Sequence, residues 1–178
     1  LWCIDGTLIK KLEGEDKFIF HKKDIYIGSG GWSLKILKLD GSEIRKCDIS
    51  AFIWVPSPDG ELIAGATTDK VIKLWSFDGE LEEILAGPDA QIRDIKFSPD
   101  GEFIAARAED EKVYIWRKNG TLIQTSSYKT WEDMNRIFSP DGNFFICRTD
   151  QETLSIWHKS GSLVKTVKWG SRFATSPD

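Results

Sequence analysis

The sequence predicts an all-β protein built from one repeated unit of short antiparallel strands. Two markers, the tetrapeptide Ser-Pro-Asp-Gly and an aliphatic residue followed by Trp, each recur at intervals of 41 residues. The tetrapeptides begin at Ser57, Ser98 and Ser139, and the aliphatic–Trp pairs end at Trp75, Trp116 and Trp157. A fixed period of about 40 to 45 residues with four short strands per unit is typical of β-propeller blades.

The unit that begins at Asp78 shows why strands form where they do. Its apolar segments are short and rich in Ile, Val, Phe and Trp, which favours strands over the helices of other repeat proteins. Pro pre-sets φ in the Ser-Pro-Asp-Gly turn and Gly accepts a positive φ, so the chain reverses between two strands. We therefore predict an outer strand, an inner strand and two further strands at residues 80–86, 91–97, 102–108 and 112–116.

The same order of strands and turns extends over the whole chain. Counted from one strand end to the next, the repeats cover residues 3–37, 38–75, 76–116 and 117–157, with a partial repeat at 158–178. The first repeat is the most eroded, since Leu37 stands where Trp belongs. Because a propeller must close into a ring, we expect a partial ring of about four blades from a seven-bladed propeller. The remaining blades would come from the rest of the same chain.

Composition narrows the class of protein. The chain has 178 residues, of which 40% are hydrophobic and 29% charged, and a formal net charge of -4. No apolar run approaches the roughly 20 residues that cross a bilayer, and the first residues do not resemble a signal peptide. The three Cys have no CxxC spacing, which favours reduced thiols in the cytoplasm. Lys and Arg are not clustered, so nucleic acid is not an expected partner.

The repeat markers resemble those of the WD-repeat β-propeller family. The matching residues are Phe-Ser-Pro-Asp-Gly-x-Phe-Ile-Ala at 97–105 and Lys-Val-Tyr-Ile-Trp at 112–116, with equivalents in the neighbouring repeats. The resemblance implies a protein-interaction scaffold or sensor. The order and spacing of the repeat markers are also similar to those of bacterial WD-repeat arrays attached to STAND-type NTPase switches. In such a protein the propeller would sense a signal and the attached domain would respond to it.

The chain departs from the family in the polar residues that accompany the Trp. The family often has Gly-His before the inner strand, whereas the corresponding positions here are Gly14-Glu15 and Gly87-Pro88. The turn Asp of the family persists six residues before the Trp in two repeats, but Gln151 replaces it in the next one. We therefore expect an incomplete polar network and a mainly structural role for Trp75, Trp116, Trp157, Asp69 and Asp110.

The residues that break the period are the candidates for partner binding. Trp32, Trp131 and Trp169 fall in turns between second and third strands or just before inner strands. These turns and loops form one edge of the propeller, here called the top rim, where the resemblance implies that partners dock. Aromatic residues and Arg dominate interface energies, although packing within the loops is an alternative for these Trp residues. Four basic residues are expected near the same rim: Arg93, Arg107, Lys129 and Arg148.

The basic residues leave two interpretations open. They could recognise an acidic or carboxylate-bearing peptide, or they could be solvated and paired with neighbouring acidic residues such as Glu109, Asp110 and Asp150.

Catalytic motifs are missing from the sequence. The two His residues lie in separate turns, the Cys residues are isolated, and neither GxSxG nor HExxH occurs. We therefore predict a non-catalytic module that binds a protein or peptide on the top rim, with no cofactor, no metal and no membrane partner. The alternative is a propeller enzyme of the TolB-like or lactonase-like type with a site on the propeller axis.

Overall fold

The computed structural model describes residues 17–21, 25–30, 33–38, 43–47, 51–77, 79–127, 137–148 and 153–168. These residues form strands joined by turns. The strands are β1 (Lys17–His21), β2 (Ile25–Gly30), β3 (Ser33–Lys38), β4 (Glu43–Cys47), β5 (Ala51–Pro56), β6 (Leu62–Thr67), β7 (Ile72–Ser76), β8 (Leu81–Leu85), β9 (Ile92–Phe97), β10 (Phe103–Ala108), β11 (Lys112–Arg117), β12 (Leu122–Ser127), β13 (Phe144–Arg148), β14 (Thr153–His158) and β15 (Leu163–Lys168).

The strands pair in sequence order into separate antiparallel sheets. Three sheets have four strands each, β1–β4, β5–β8 and β9–β12, and a fourth contains β13, β14 and β15. An isolated bridge joins Phe138, just before β13, to Phe145. The four-stranded antiparallel units confirm the predicted all-β propeller class. The sheets are called blades 1 to 4 in the order of the sequence, so that blade 1 contains β1–β4 and blade 4 contains β13–β15.

The blades are offset by one strand from the repeats counted in the sequence. The strand that follows each Trp pairs with the strand that carries it, so β8 closes the sheet of Trp75 and β12 closes that of Trp116. Each sheet is thus completed by the first strand of the next repeat, which links consecutive repeats through hydrogen bonds.

A shift in register marks the Trp position in every blade. The pairing slips between Leu74 and Trp75, and the same slip occurs one period later at Trp116 and again at Trp157. Blade 1 has the shift between Ile36 and Leu37. A β-bulge strengthens the local twist of a strand pair, so the eroded repeat keeps the backbone geometry of the others even though Leu replaces Trp.

The Ser-Pro-Asp-Gly turns have the same hydrogen bonds in three blades. In the turn of blade 3, Ser98 Oγ donates to Asp100 Oδ1 at 2.6 Å and accepts from the Phe103 amide at 3.0 Å. The glycine at the fourth position has φ +75°, a conformation that strains any residue with a Cβ. The equivalent glycines are Gly60 and Gly142, with φ of +77° and +71°.

Two apolar clusters hold neighbouring blades together. The first joins blade 2 to blade 3 and contains Leu74 and Ile72 on one side and Ile95 and Trp116 on the other. The second joins blades 3 and 4: Phe103, Val113 and Ile115 pack against Phe138, Phe145 and Cys147. Because blade 3 is covered on both faces by its neighbours, its second strand β10 is a nearly continuous apolar run.

The up-and-down order of strands places the described turns at two edges. The Ser-Pro-Asp-Gly turns and the turns after the Trp strands lie at one edge, which we call the SPDG rim. The turns at 68–71 and 109–111 and the loop at 86–91 lie at the opposite edge, which is the top rim defined above. No helix in the described part of the chain is long and apolar enough to cross a membrane.

Candidate functional site

The top rim between blades 2 and 3 is formed by two turns and one loop. The turns connect the second and third strands of each blade, and the loop 86–91 leads from β8 to β9. The residue at the tip of each turn is exposed and has a positive φ: Lys70 at +67° and Glu111 at +59°. These residues are 41 apart and carry opposite charges. The same backbone therefore presents different chemistry in adjacent blades.

Side chains tie the loop to the turn of the preceding blade. Lys70 Nζ donates to the Asp89 carbonyl at 2.8 Å. Gln91 Nε2 donates to the Thr68 carbonyl at 3.0 Å. The next turn is tied to the same loop, because the Glu109 amide donates to the Gln91 carbonyl at 2.9 Å. The top rim of blades 2 and 3 is consequently a cross-linked set of loops.

Arg93 is exposed at the start of β9 and forms an ion pair with Glu109. The two side chains are 61% and 42% exposed, and solvent-exposed ion pairs contribute about 0 to 1 kcal/mol. The pair therefore does little for stability. This geometry matches the solvated alternative for Arg93, although an exposed guanidinium held in one place also suits a partner.

Arg107 lies near the top end of β10, where it is half-buried. It is paired across the strands with Asp94 of β9 and Val113 of β11, immediately before a shift in register. The structure thus places Arg107 in the same part of the top rim as Arg93. Arg148 ends β13, the equivalent strand of blade 4.

The other predicted partner-binding residues lie outside the described residues. These are Trp32, Lys129, Trp131 and Trp169. Their assignment to the top rim stays a prediction.

The repeated Trp residues lie at one position of the blade but in different surroundings. Trp116 is fully buried, Trp75 is 8% exposed, and Trp157 is half-buried. Trp116 donates from its indole Nε1 to the Ala86 carbonyl of blade 2 at 3.0 Å. It also stacks on Tyr114 with ring centroids 5.6 Å apart. Trp116 therefore connects two blades by a hydrogen bond as well as by packing.

In blades 2 and 3 the turn Asp has a partner that the sequence interpretation missed. Asp110 accepts a hydrogen bond from the Tyr114 hydroxyl at 2.6 Å. In blade 2, Asp69 accepts from the Thr67 hydroxyl and pairs with Lys73 Nζ at 3.1 Å. Tyr114 and Lys73 both stand two residues before the Trp. Their spacing, four residues after the Asp, is the signal that could have identified them.

The pKa shifts of these groups follow from their contacts. Burial raises the pKa of Tyr114, and the hydrogen bond to Asp110 raises it further because the carboxylate opposes a second negative charge. The hydrogen bond from Thr67 lowers the pKa of Asp69, and Lys73 adds to this effect. The contacts with Thr67 and Lys73 therefore favour the charged form of Asp69.

Cys147 and His158 are in surroundings that do not favour nucleophilic catalysis. Burial raises the pKa of the Cys147 thiol to about 12, and the thiolate is the reactive form. His158 Nδ1 forms hydrogen bonds with the hydroxyl and the amide of Ser160 in its own turn. Within the described ranges, no group of three or more His, Cys, Asp or Glu is arranged to hold a metal ion.

Comparison with known proteins identifies the repeats. The family model described as "WD domain, G-beta repeat" matches residues 31–76 and 79–117. No curated protein gives a significant match. Among 1160 solved chains that match the fold is "KlHsv2 with loop 6CD replaced by a Gly-Ser linker". It is 15% identical to this chain with a TM-score of 0.65, over 94% of this chain and 58% of that one. At this identity the similarity shows the fold alone, and the chain spans little more than half of that structure.

Proposed function

Residues 31–76 and 79–117 are WD repeats, and we propose that the chain is a non-catalytic interaction module that binds a protein or peptide at its top rim. WD-repeat domains generally act as scaffolds for protein–protein interactions and are typically non-catalytic. A fold shared by so many proteins says nothing about the partner. The surface chemistry of the chain must therefore indicate the site.

The observation that carries the proposal is the cross-linked top rim of blades 2 and 3. The bonds from Lys70 to the Asp89 carbonyl and from Gln91 to the Thr68 carbonyl hold a turn and a loop of different blades together. Loops ordered before binding lose less conformational entropy when a partner docks, which favours affinity. The opposite rim, by contrast, repeats the same Ser-Pro-Asp-Gly turn, so it offers little that could distinguish one partner from another.

The proposed contact residues are Arg93 and Arg107 of the described rim together with the predicted residues around them. Arg and Trp are the side chains most enriched at the energetic centres of interfaces. The complete set is Trp32, Arg93, Arg107, Lys129, Trp131, Arg148 and Trp169. Arg93 would exchange Glu109 for an acidic group of the partner, because their exposed ion pair is weak.

We further propose that the module works in the cytoplasm and that the remaining blades belong to the same chain. The three cysteines without paired spacing support the first point. The resemblance to arrays attached to STAND-type NTPase switches supports a sensing role, in which partner binding at the rim is transmitted to an attached domain.

A pull-down with the complete protein tests the proposal. We expect Trp131→Ala and Arg107→Ala to reduce recovery of the bound protein at least several-fold. Lys118→Ala is the matched control, since Lys118 is an exposed base on the SPDG rim and its loss should leave recovery unchanged. Full recovery with both top-rim variants would refute the assignment of the site, and a loss with Lys118→Ala would move the site to the opposite rim.

A further inference from the structure

The outer strands of blades 2, 3 and 4 differ in charge. The last strands of these sheets are β8, β12 and β15. Residues 80–86 around β8 contain three Glu and no base, residues 121–127 contain no charged side chain, and residues 162–168 contain two Lys and no acid. Glu83 and Lys165 stand two periods apart at the same position of the repeat. The outer edge of the propeller therefore changes from acidic to neutral to basic.

The charges on β8 and β15 lack ion-pair partners within the described ranges. Glu82, Lys165 and Lys168 are exposed, and Glu83 is half-buried. None of these four forms an ion pair with another described residue. Charged side chains of the two rims, by contrast, are paired within the chain. The charges of the two outer strands therefore remain available to a second molecule.

Large aliphatic side chains lie beside these charges. Leu81 and Ile84 of β8 are 50% and 45% exposed, and Leu163 and Val164 of β15 are 52% and 53% exposed. Each strand is also the last of its sheet, so its free edge presents backbone N–H and C=O groups without a partner strand. Each edge thus combines apolar surface, charge of one sign and backbone groups that can bind another strand.

The two edges are complementary to each other but not to themselves. Pairing β8 with β8 of another molecule would bring Glu side chains together, and pairing β15 with β15 would do the same with Lys, which is unfavourable. An antiparallel alignment of β8 with β15 that places Glu83 opposite Lys165 also places Glu80 opposite Lys168. No other antiparallel alignment of residues 80–86 with 162–168 forms both kinds of pair at once. The same alignment sets aliphatic residues opposite one another: Leu81 with Val167, and Ile84 with Val164.

We propose that β8 of one copy of this chain docks against β15 of a second copy, so that the protein associates head to tail through its outer strands. The two edges belong to different blades, so the contact is heterologous and each copy keeps one free edge for a further neighbour. The opposite charges select the partner edge, and the contact buries the exposed aliphatic side chains. The top rim takes no part in this association.

Sedimentation velocity of the complete protein at increasing concentration tests the proposal. The unaltered chain should associate at about 0.05 M NaCl and separate into monomers at about 0.5 M, because salt screens exposed charges. Glu83→Lys and Lys165→Glu each set like charges opposite one another and should weaken association at least several-fold. An equimolar mixture of the two variants restores opposite charges and should associate again. Glu111→Lys is the matched control, since it reverses an exposed carboxylate at the top rim, and it should leave association unchanged.

Each other outcome overturns the proposal. An unaltered chain that is monomeric at about 1 mM and low salt has no contact of useful affinity. Association that persists in both variants lies elsewhere on the surface, and a mixture that stays monomeric excludes pairing of β8 with β15. Circular dichroism monitors folding, and Glu80→Lys with Lys168→Glu replaces the first pair of variants if either is unfolded. No other protein enters this readout, so the result is independent of the proposed top-rim function.

Discussion

The two rims of the propeller differ in how strictly they repeat. On the SPDG rim, three turns use the same residues and the same hydrogen bonds, and the second and third turns each pack against the preceding one. A Cβ added at Gly101 would lie 3.6 Å from Asp59 Oδ2, and one added at Gly142 would lie 2.6 Å from Asp100 Cγ. On the top rim, the equivalent tips are Lys70 and Glu111, with opposite charges. Contacts between identical turns keep the first rim uniform, whereas the turn tips of the second rim differ in charge from one blade to the next.

The largest effect should come from closing the space between two SPDG turns. Gly142→Ala imposes a positive φ of +71° on Ala and drives its Cβ into the Asp100 carboxylate. We expect the free energy of unfolding to fall by about 2 to 4 kcal/mol, because backbone strain adds to the displacement of the Asp100 carboxylate from its hydrogen bonds with Ser98 and the Glu102 amide. Chemical denaturation of the purified chain measures the change.

Gly161→Ala separates the two causes. Gly161 also has a positive φ, +91°, but nothing lies within 4 Å of an added Cβ. In this variant the free energy of unfolding should fall only by the cost of backbone strain, about 1 to 2 kcal/mol. Equal losses in the two variants would show that contact between the turns contributes nothing.

The next largest loss of stability is expected when the serine of a buried turn is replaced, and the equivalent serine of a half-buried turn serves as the comparison. Ser98→Ala removes the acceptor of the Phe103 amide, and Ser98 is 0% exposed. Leaving a buried amide without a partner costs about 1 to 3 kcal/mol. Ser139→Ala removes the same bond to Phe144, but water can replace the hydroxyl there. Thermal unfolding should therefore rank Ser98→Ala as the more destabilising, and the reverse order would contradict the packing of blade 3.

A smaller loss of stability is expected when the hydrogen bond between Tyr114 and Asp110 at the top rim is removed. Tyr114→Phe keeps the stacking on Trp116 but deletes the hydrogen bond to Asp110, at a cost of about 1 to 2 kcal/mol. The raised pKa of Tyr114 also gives a pH dependence. Above the ordinary value of 10.0, the unfolded chain ionises this tyrosine first.

The stabilisation from Tyr114 is thus complete below pH 10.0 and is lost as the pH rises through and beyond that value. Denaturation curves measured from pH 8 upward test this sign. The alkaline loss of stability should be smaller in Tyr114→Phe than in the unaltered chain. An identical alkaline slope in both proteins would show that the tyrosine ionises equally in the folded and unfolded states.

The smallest effect concerns the exposed carboxylate of the last SPDG turn. The hydrogen bond from Ser139 and those from the Asn143 amide and side chain lower the pKa of Asp141 to about 2. Its contribution to stability is present above the ordinary value of 3.8 and is lost as the pH falls towards 2. Carboxyl NMR titration should show the pKa rising towards 3.8 in Ser139→Ala, whereas no change would remove Ser139 as the main cause.

Strand positions were largely predictable because they depend on local chemistry. The outer strand predicted at 80–86 is β8 (Leu81–Leu85), and the inner strand predicted at 91–97 is β9 (Ile92–Phe97). Pro and Gly fix the turns between them, and apolar β-branched and aromatic residues fill the strands between the turns. The sequence repeats ended at the Trp, however, and did not show that the following strand belongs to the same sheet.

The candidate site was less predictable, because its contacts join residues that are distant in sequence. The missing His suggested Trp residues that only pack, but Tyr114 and Lys73 take over contacts with the turn Asp, and Trp116 donates to Ala86. The sequence does not show which residue a polar side chain two positions before a Trp will contact, because that contact depends on the neighbouring strands of the sheet. The ties between Lys70, Gln91 and the neighbouring loop likewise depend on two blades meeting.

The sequence by itself determined the period, the strand and turn chemistry and the propeller class, since a 41-residue repeat of turn signals and apolar runs encodes them locally. Only the tertiary structure decided what each copy of a position does. Phe103 and Phe144 are the same residue at the same position, yet one is 1% exposed and the other 37%. Burial depends on which sheet packs against a face, and that is a property of the assembled blades.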